Sequence, residues 1–442
     1  MITIKKVGRY GVFQEELPTK LEAALFNRLA YQREGHYFMK NKAWTWIRLY
    51  NRKKHCFPWG LVERVLNILA QWNKQYGDAI SINNDDFKSI SAKTVGCSDS
   101  IRPYQAAAIN KLIRSNGGIL SMPTGSGKTR TAIEFLKIIS FGRALVVVTS
   151  KDLKQQWTEQ VKDVHWNVEV ETYQMLHARK IDMKPYDIVI FDEVHHVSAN
   201  ALYRIAMKCN KAILIGLSAT PYRAYKPETI KIEAAIGPIV YSITTRELID
   251  QGYLCDAKVR IVEKVGGPEV EVFDEYQDIV NKCIVNNKPR NNKVLQLAEA
   301  AANDGLVLIL VDKVEHGQYL EDELKGQWDI LKKQNDRIIF VHGSSKNRKQ
   351  IFTDVKAGKY EIVIATKIYG EGVDIPNLKS LILAGGGKSS VKIVQQIGRL
   401  LRVFPGKQKA TIYDFADNVK YLKQHFKQRY EIYKDLFEVK MI

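Results

Sequence analysis

One eight-residue stretch, Met122-Pro123-Thr124-Gly125-Ser126-Gly127-Lys128-Thr129, constrains this chain more than any other. A mostly apolar segment, Ile119 to Met122, runs into it, and the pattern from Thr131 to Ile139 beyond it is helical. A strand that ends in a Gly-rich loop and opens a helix aims successive backbone N–H groups and the positive end of a helix dipole at one point, where a polyphosphate binds. Pro123, Thr124, Gly125, Ser126 and Gly127 would form the cradle, Lys128 would reach the β- and γ-phosphates, and Thr129 would place its hydroxyl on a Mg²⁺ ion. The full pattern has Gly where Met122 stands, so the match is one residue short. The plainer alternative is a Gly-rich turn before a helix.

At 442 residues the chain is too long for one core and divides into roughly two to four domains. Hydrophobic residues make up 45%, which excludes a disordered chain. The formal net charge of +19 calls for a polyanionic partner, and nucleic acid is favoured over acidic lipid. Cys56, Cys97, Cys209, Cys255 and Cys283 lie far apart with no ligand spacing, so they read as reduced thiols. No run approaches the ~20 apolar residues of a membrane span, and the first residues lack the apolar core of a signal peptide. A soluble, cytoplasmic protein is expected.

Residues 1–95 form a module of their own. Ile2 to Phe13 reads as a hairpin around Gly8, Thr19 to Tyr31 as a helix capped by Thr19, and Leu61 to Trp72 as another helix. Between them Trp44, Trp46, Arg48 and Tyr50 alternate as in a strand, followed by a turn at Asn51-Arg52-Lys53-Lys54. Sixteen Lys and Arg against eight Asp and Glu leave this module at +8. Bases beside aromatics hold phosphates and stack nucleobases, which makes Arg52, Lys53 and Lys54 candidate DNA contacts. The competing reading gives the aromatics to the core and the bases to a solvated face. Ser81 to Ser100 reads as a linker.

From Ile101 onward short apolar runs alternate with helices, as in parallel sheets covered on both faces. The first set is Ala144 to Thr149, Ile188 to Phe191 and Ala212 to Leu217. After a charged stretch, Glu263 to Asp278, a second set follows: Leu306 to Val311, Ile338 to Val341, Glu361 to Ala365, Leu381 to Ala384 and Thr411 to Tyr413. Helices are expected at Val294 to Ala302, Gly317 to Leu324 and Val391 to Leu401. Two successive α/β units result, with boundaries at 96–262 and 263–442 and a C-terminal helix in the second. The run Ile188 to Phe191 ends in Asp192-Glu193-Val194-His195, which puts two acids past the carboxyl edge of a sheet. Asp192 is the expected Mg²⁺ partner and Glu193 the group that positions or deprotonates water. A metal site at His195 and His196 is disfavoured, because sequence neighbours diverge in direction.

The stretch Met122 to Thr129, Asp192 to His195 and Ser218-Ala219-Thr220 resemble, in order, the motifs of superfamily 2 helicases of the DExH type. Val363 to Thr366 through Gly370-Glu371-Gly372-Val373-Asp374-Ile375-Pro376 resembles motif V, and Gln395-Gln396-Ile397-Gly398-Arg399-Leu400-Leu401-Arg402 resembles motif VI, with Gln396 where Arg is common. Arg102-Pro103-Tyr104-Gln105, Asp-Glu-Val-His and Lys288-Pro289-Arg290-Asn291 are most similar to the XPB and UvsW branch. The resemblance spans about Ile101 to Asp417. It implies two tandem RecA-like domains, parallel sheets with helices on both faces, preceded by a small α+β domain. It implies ATP and Mg²⁺ as cofactors and double-stranded, forked or branched DNA as partner.

By the same resemblance Arg102 and Gln105 recognise adenine, and Gly372 and Asp374 serve the nucleotide. Arg399 and Arg402, three apart on one helical face, act as arginine fingers. His195, Ser218, Ala219, Thr220 and Gln395 couple nucleotide to nucleic acid. Thr149, Ser150, Lys151, Thr172, Gln174, Thr366 and Lys367 touch the DNA backbone, with ordinary helix capping as their alternative. The implied activity is an ATP-dependent DNA helicase or translocase, with an RNA helicase or the motor subunit of a restriction or remodelling assembly as rivals.

Overall fold

A computed structural model describes residues 1–32, 45–77, 79–83, 90, 92, 94–98, 100–162, 167–179, 182–194, 200–219, 229–263, 266, 268, 275–366, 375–387 and 397–442. Two compact units make up the chain, Met1–Pro123 with Gly127–Ile243, and Thr124–Ser126 with Thr244–Ile442.

The first unit begins with a four-stranded sheet in the order Cys56–Pro58, Tyr10–Phe13, Ile2–Val7, Ile80–Asn83. Its central hairpin pairs Val7 with Tyr10 and turns at Gly8, whose φ of 57° suits a residue without Cβ. The helix expected from Thr19 runs from Thr19 to Arg28. Pro18, not Thr19, precedes it, no side chain caps it, and the chain leaves it at Leu29 to form the strand Ala30–Gln32 against Trp46–Arg48. The strand Ile80–Asn83 takes in Ser81 to Asn83, which were expected in a linker. Its Ile80 and Ile82 instead add a parallel strand beside Ile2–Val7. Trp44 and most of the expected linker from 84 onward lie outside the described residues.

The N-terminal sheet is not a separate body. Its core of Leu21, Leu25, Phe57, Leu61, Val65 and Leu69 also takes in Ile230 and Ala234 from the helix Thr229–Ile236 of the following α/β region. Arg64 pairs with Glu233 at 2.7 Å, and the Arg9 guanidinium donates to the Ala235 carbonyl at 2.7 Å. A Cβ on Gly60 would stand 2.0 Å from the Glu233 carbonyl oxygen, so only glycine allows this approach.

The α/β region of the first unit is a six-stranded sheet in the order Ile239–Ser242, Gly118–Ser121, Ile213–Ser218, Ile188–Asp192, Ala144–Val148, Val168–Thr172, with every pairing parallel. Its three middle strands, Ile213–Ser218, Ile188–Asp192 and Ala144–Val148, are buried along their whole length, which is why they read as unbroken apolar runs. The second unit carries seven parallel strands: Ile338–Val341, Ile362–Thr366, Val307–Val311, Ser380–Leu383, Lys409–Phe415, Asp256–Val262, Glu438–Met441. Asp256–Val262 corrects the expected boundary at 262/263. Seven backbone partners tie it to Lys409–Phe415, and a capping box of Thr244 with Glu247 opens the second unit just after Ile243. The C-terminal helix, Lys420–Leu436, anchors Arg429 on the buried Asp414 at 2.7 Å. Most of the charged stretch after Glu263 lies outside the described residues. No helix among them is long and apolar enough to cross a membrane, and no trio of His, Cys, Asp or Glu is placed to hold a metal. All five cysteines are free.

Candidate functional site

Three neighbouring strands of the first parallel sheet end side by side, and each carries one of the expected motifs. Gly118–Ser121 leads into the Gly-rich loop, Ile213–Ser218 ends at Ser218, and Ile188–Asp192 ends at Asp192. The register pairs Ser121 with Ser218 and Leu217 with Asp192, so the three motifs leave the sheet at one level. Carboxyl ends of parallel strands are where open α/β sheets bind ligands.

The loop turns on Gly125 and Gly127, at φ 87° and 80°, and Gly127 precedes the helix Lys128–Ile138. A side chain at Gly127 would be strained by that φ and would displace the Gln105 amide, whose nitrogen lies 2.7 Å from where its Cβ would stand. Lys128 Nζ donates to the carbonyls of Met122 and Pro123 at 3.2 and 3.4 Å, so the ammonium lies back along its own loop. Met122, the departure from the full motif, is fully buried, and its N–H donates to the Ser218 carbonyl at 3.0 Å. The residue is a core anchor that stitches the loop to the neighbouring motif, and leaves the loop glycines in place.

Asp192 is 8% exposed. One carboxylate oxygen accepts from the Trp157 indole nitrogen at 2.9 Å and the other from the Glu193 N–H at 3.0 Å. Burial pushes its pKa up, while the Trp157 bond, the Lys128 charge and the Glu193 amide pull the other way. Glu193 has a left-handed backbone, φ 52°, a strained conformation for a residue with a side chain. Trp157 escaped the sequence reading. Leu153, Trp157 and Val161 recur four apart on the helix Lys151–Val161 and read as a core stripe. A buried indole needs an acceptor, but the sequence does not say which.

Gln105 lies beside the loop, on the helix Pro103–Ser115, and its side-chain oxygen accepts from the Arg102 N–H at 3.0 Å. The Arg102 guanidinium donates to the Tyr104 hydroxyl at 3.1 Å. The expected backbone-contact residues are partly occupied. Ser150 caps its helix by accepting from Leu153 N–H at 3.2 Å, Thr172 accepts from Met175 N–H at 3.4 Å, and Gln174 donates to the Thr149 carbonyl at 3.2 Å. Lys151 is exposed, and Ala219 follows Ser218 at the strand end.

In the second unit Thr366 ends its strand with a buried hydroxyl that has no hydrogen-bond partner among the described residues. Arg399 is helical, but Arg402 is not: it forms a β-bridge with Leu254, while Cys255 N–H donates to Leu401 at 2.8 Å. The two arginines therefore do not share a helical face as expected. Lys407, also unforeseen, is buried and donates to the carbonyls of Leu400, Pro376 and Arg402, which pins the end of this motif. His195, His196, Thr220, Lys367, Gly372, Asp374, Gln395 and Gln396 lie outside the described residues.

Arg52, Lys53 and Lys54 form a short 3-10 turn capped by Asn51 and closed by the Asn51–Cys56 bridge, with all three side chains exposed. Tyr50 is core, at 2% exposure, whereas Trp46 is 41% exposed. The aromatics of this module thus divide between the two readings.

Two family models match the chain: the helicase conserved C-terminal domain over residues 290–404, and the type III restriction enzyme res subunit over 98–167 and 161–223. The DNA 3'-5' translocase XPB2 of Sulfurisphaera tokodaii is 24% identical over 352 residues, 68% of this chain and 78% of that protein. The ATP-dependent DNA helicase uvsW of Enterobacteria phage T4 is 25% identical over 312 residues, 68% of this chain and 59% of that one. Among solved structures, a fragment of a putative HsdR subunit of a type I restriction enzyme from Vibrio vulnificus shares the fold, with a TM-score of 0.58 and 18% identity over 86% of this chain and 74% of that one. With its Gly-rich loop, Asp192 and Ser218 on adjacent strands of one such sheet, the chain is a superfamily 2 helicase of the DExH type, in the XPB/UvsW-like branch.

Proposed function

We propose that the chain is an ATP-driven motor that translocates on, unwinds or branch-migrates forked or branched DNA during replication, recombination or repair. The observation that carries this reading is the convergence of Lys128, Asp192 and Ser218 at one edge of the first parallel sheet. In the loop from Pro123 to Gly127 the N–H groups of Thr124, Gly125, Ser126 and Gly127 cradle the phosphates, and Lys128 exchanges its own loop carbonyls for phosphate oxygens. Arg102 and Gln105 hold the adenine, and Gly372 and Asp374 complete the nucleotide site. Thr129 and Asp192 offer hard oxygen donors suited to Mg²⁺, and the unfavourable burial of the Asp192 carboxylate is what a bound cation offsets. When bound, that ion supplies charge neutralisation at the β- and γ-phosphates. Glu193, presented by its strained backbone, orients the attacking water and accepts its proton.

Arg399 and Arg402 stabilise charge on the transferred phosphoryl group, and His195, Ser218, Ala219, Thr220 and Gln395 link nucleotide state to DNA grip. Thr149, Ser150, Lys151, Thr172, Gln174, Thr366 and Lys367 line the backbone track, and Arg52, Lys53 and Lys54 add charge from the N-terminal module. The names borne by the two relatives, a DNA translocase and a DNA helicase, favour DNA over RNA. An ATP-fed motor on DNA acts inside the cell, in the cytoplasm.

ATPase assays with single-stranded DNA, duplex, four-way junction and RNA as activators test the reading, with Lys128→Ala as control. Strongest stimulation by junction or forked DNA, abolished in Lys128→Ala, is expected; stimulation by RNA alone sinks it. The match to a restriction-enzyme res subunit favours one second reading, a translocating subunit that separates no strands itself. Strand displacement by the isolated chain distinguishes the two.

A further inference from the structure

The N-terminal module and the helix Asn200–Lys208 of the neighbouring α/β region enclose a cleft of about 640 Å³ that none of the motifs uses. Its volume falls in the range of pockets that bury a small ligand. Tyr10, 41% exposed, Phe26 and Tyr203 supply aromatic surface. The Arg52 and Arg48 guanidinium carbons lie 4.0 and 4.5 Å from the Phe26 ring centre, so these planar cations are already held over an aromatic face. At the same wall Lys53 and Lys54 are exposed, and no acidic partner of either ammonium is found among the described residues. Glu22 offsets only part of this charge, from 3.8 Å at Arg52 and 3.7 Å at His55, and accepts from the Tyr50 hydroxyl at 3.4 Å.

The walls are fixed relative to each other. Tyr203 comes from the α/β region, and the module is bolted to that region by Arg64 on Glu233 and Arg9 on the Ala235 carbonyl. Aromatic faces beside unneutralised ammonium groups, in a preformed cleft of this volume, match an unpaired nucleobase and its phosphate. The aromatic faces do not suit a duplex, whose bases are stacked away, and an acidic lipid has no use for them.

We propose that this cleft binds an unpaired nucleotide of a single-stranded DNA arm, the base against Tyr10, Phe26 and Tyr203 and the phosphate on Lys53 and Lys54. It rests on the DNA-motor reading and specifies how that motor recognises a fork. Photocrosslinking of the full chain to an oligothymidylate with one 5-iodouracil, followed by peptide mapping, is expected to give adducts at Tyr10, Phe26 or Tyr203. Adducts confined to residues beyond 242 overturn the proposal. In equilibrium binding, the combined variant Tyr10→Leu, Lys53→Ala, Lys54→Ala is expected to bind a tailed duplex about tenfold or more weakly than the parent, and a blunt duplex within about threefold of it. Equal loss on both substrates, or none on either, overturns it, the first by reducing the cleft to nonspecific charge. Crosslinking needs no turnover, so an ATPase unresponsive to any DNA would sink the motor reading while the adduct map still decided the cleft.

Discussion

The Trp157 indole bond to Asp192 is the residue-scale contact with the sharpest consequence. Burial raises the Asp192 pKa and the indole hydrogen bond favours the carboxylate, so removing the bond raises the pKa further. If the ionised form is the active one, activity falls as pH drops through this pKa. Trp157→Phe, which keeps the ring and loses the N–H, is therefore expected to shift the acidic limb of the ATPase kcat/KM profile to higher pH. An unmoved limb would show that the bond is only structural. Arg402 offers a separate test. Its backbone is fixed by the Leu254 bridge and by Lys407, so Arg402→Ala removes chemistry without removing the fold. Turnover is expected to fall ~10³-fold or more with nucleotide affinity within a few-fold; equal losses in both would indicate a ground-state role. The placement of the Gly-rich loop, Asp192 and Glu193 at strand ends was legible because each follows a buried apolar run. Trp157 and Lys407 were not, since both act through acceptors distant in sequence that only the folded chain supplies.

Among elements, buried strands were the readable ones. Ile188–Asp192 and Val307–Val311 are covered on both faces and spell it in unbroken apolar runs. Ile80–Asn83 and Glu438–Met441 are largely uncovered, and Asp256–Val262 is fully buried only at alternate residues before its end, with polar or charged side chains between the apolar ones, so their pairing is set by partners far along the chain. The strand Ile2–Val7 carries its own test. Lys6 is 6% exposed, with its ammonium 4.6 Å from the Trp59 ring centre, and burial, aided by the Arg9 charge, lowers its pKa from 10.5 to about 7. The folded chain then binds fewer protons than the unfolded one between about pH 7 and 10.5. Stability from this group rises with pH across that window, at up to ~1.4 kcal/mol per pH unit, and the penalty is fully present below it. Differential scanning of Lys6→Met against the parent should show a flatter rise of Tm with pH; parallel curves would mean Lys6 keeps its ordinary pKa.

At the scale of the whole molecule, the N-terminal module was read as a separable DNA grip, and the shared core changes what its removal does. Ile230 and Ala234 are buried against Leu21, Leu25 and Val65, and Glu233 is paired with Arg64. A chain starting at Ile101 leaves those apolar side chains in water and a largely buried carboxylate without its guanidinium, so it is expected to aggregate or melt well below the parent. An unchanged melting curve for that fragment would show the seam to be weak. The grip is therefore better tested without truncation. Arg52, Lys53 and Lys54 sit on an exposed turn held by backbone bonds between Asn51 and Cys56, so replacing all three by Ala preserves the fold. Each phosphate contact contributes about −0.7 to the slope of log affinity against log salt on single-stranded DNA. On a single-stranded oligonucleotide the triple variant should flatten that slope by about 1 to 2, and it should lower junction unwinding more than it lowers ATP hydrolysis at saturating DNA. A slope identical to the parent's, with junction activity intact, would give the turn's charge to solvation and leave DNA contact to the two parallel-sheet domains alone.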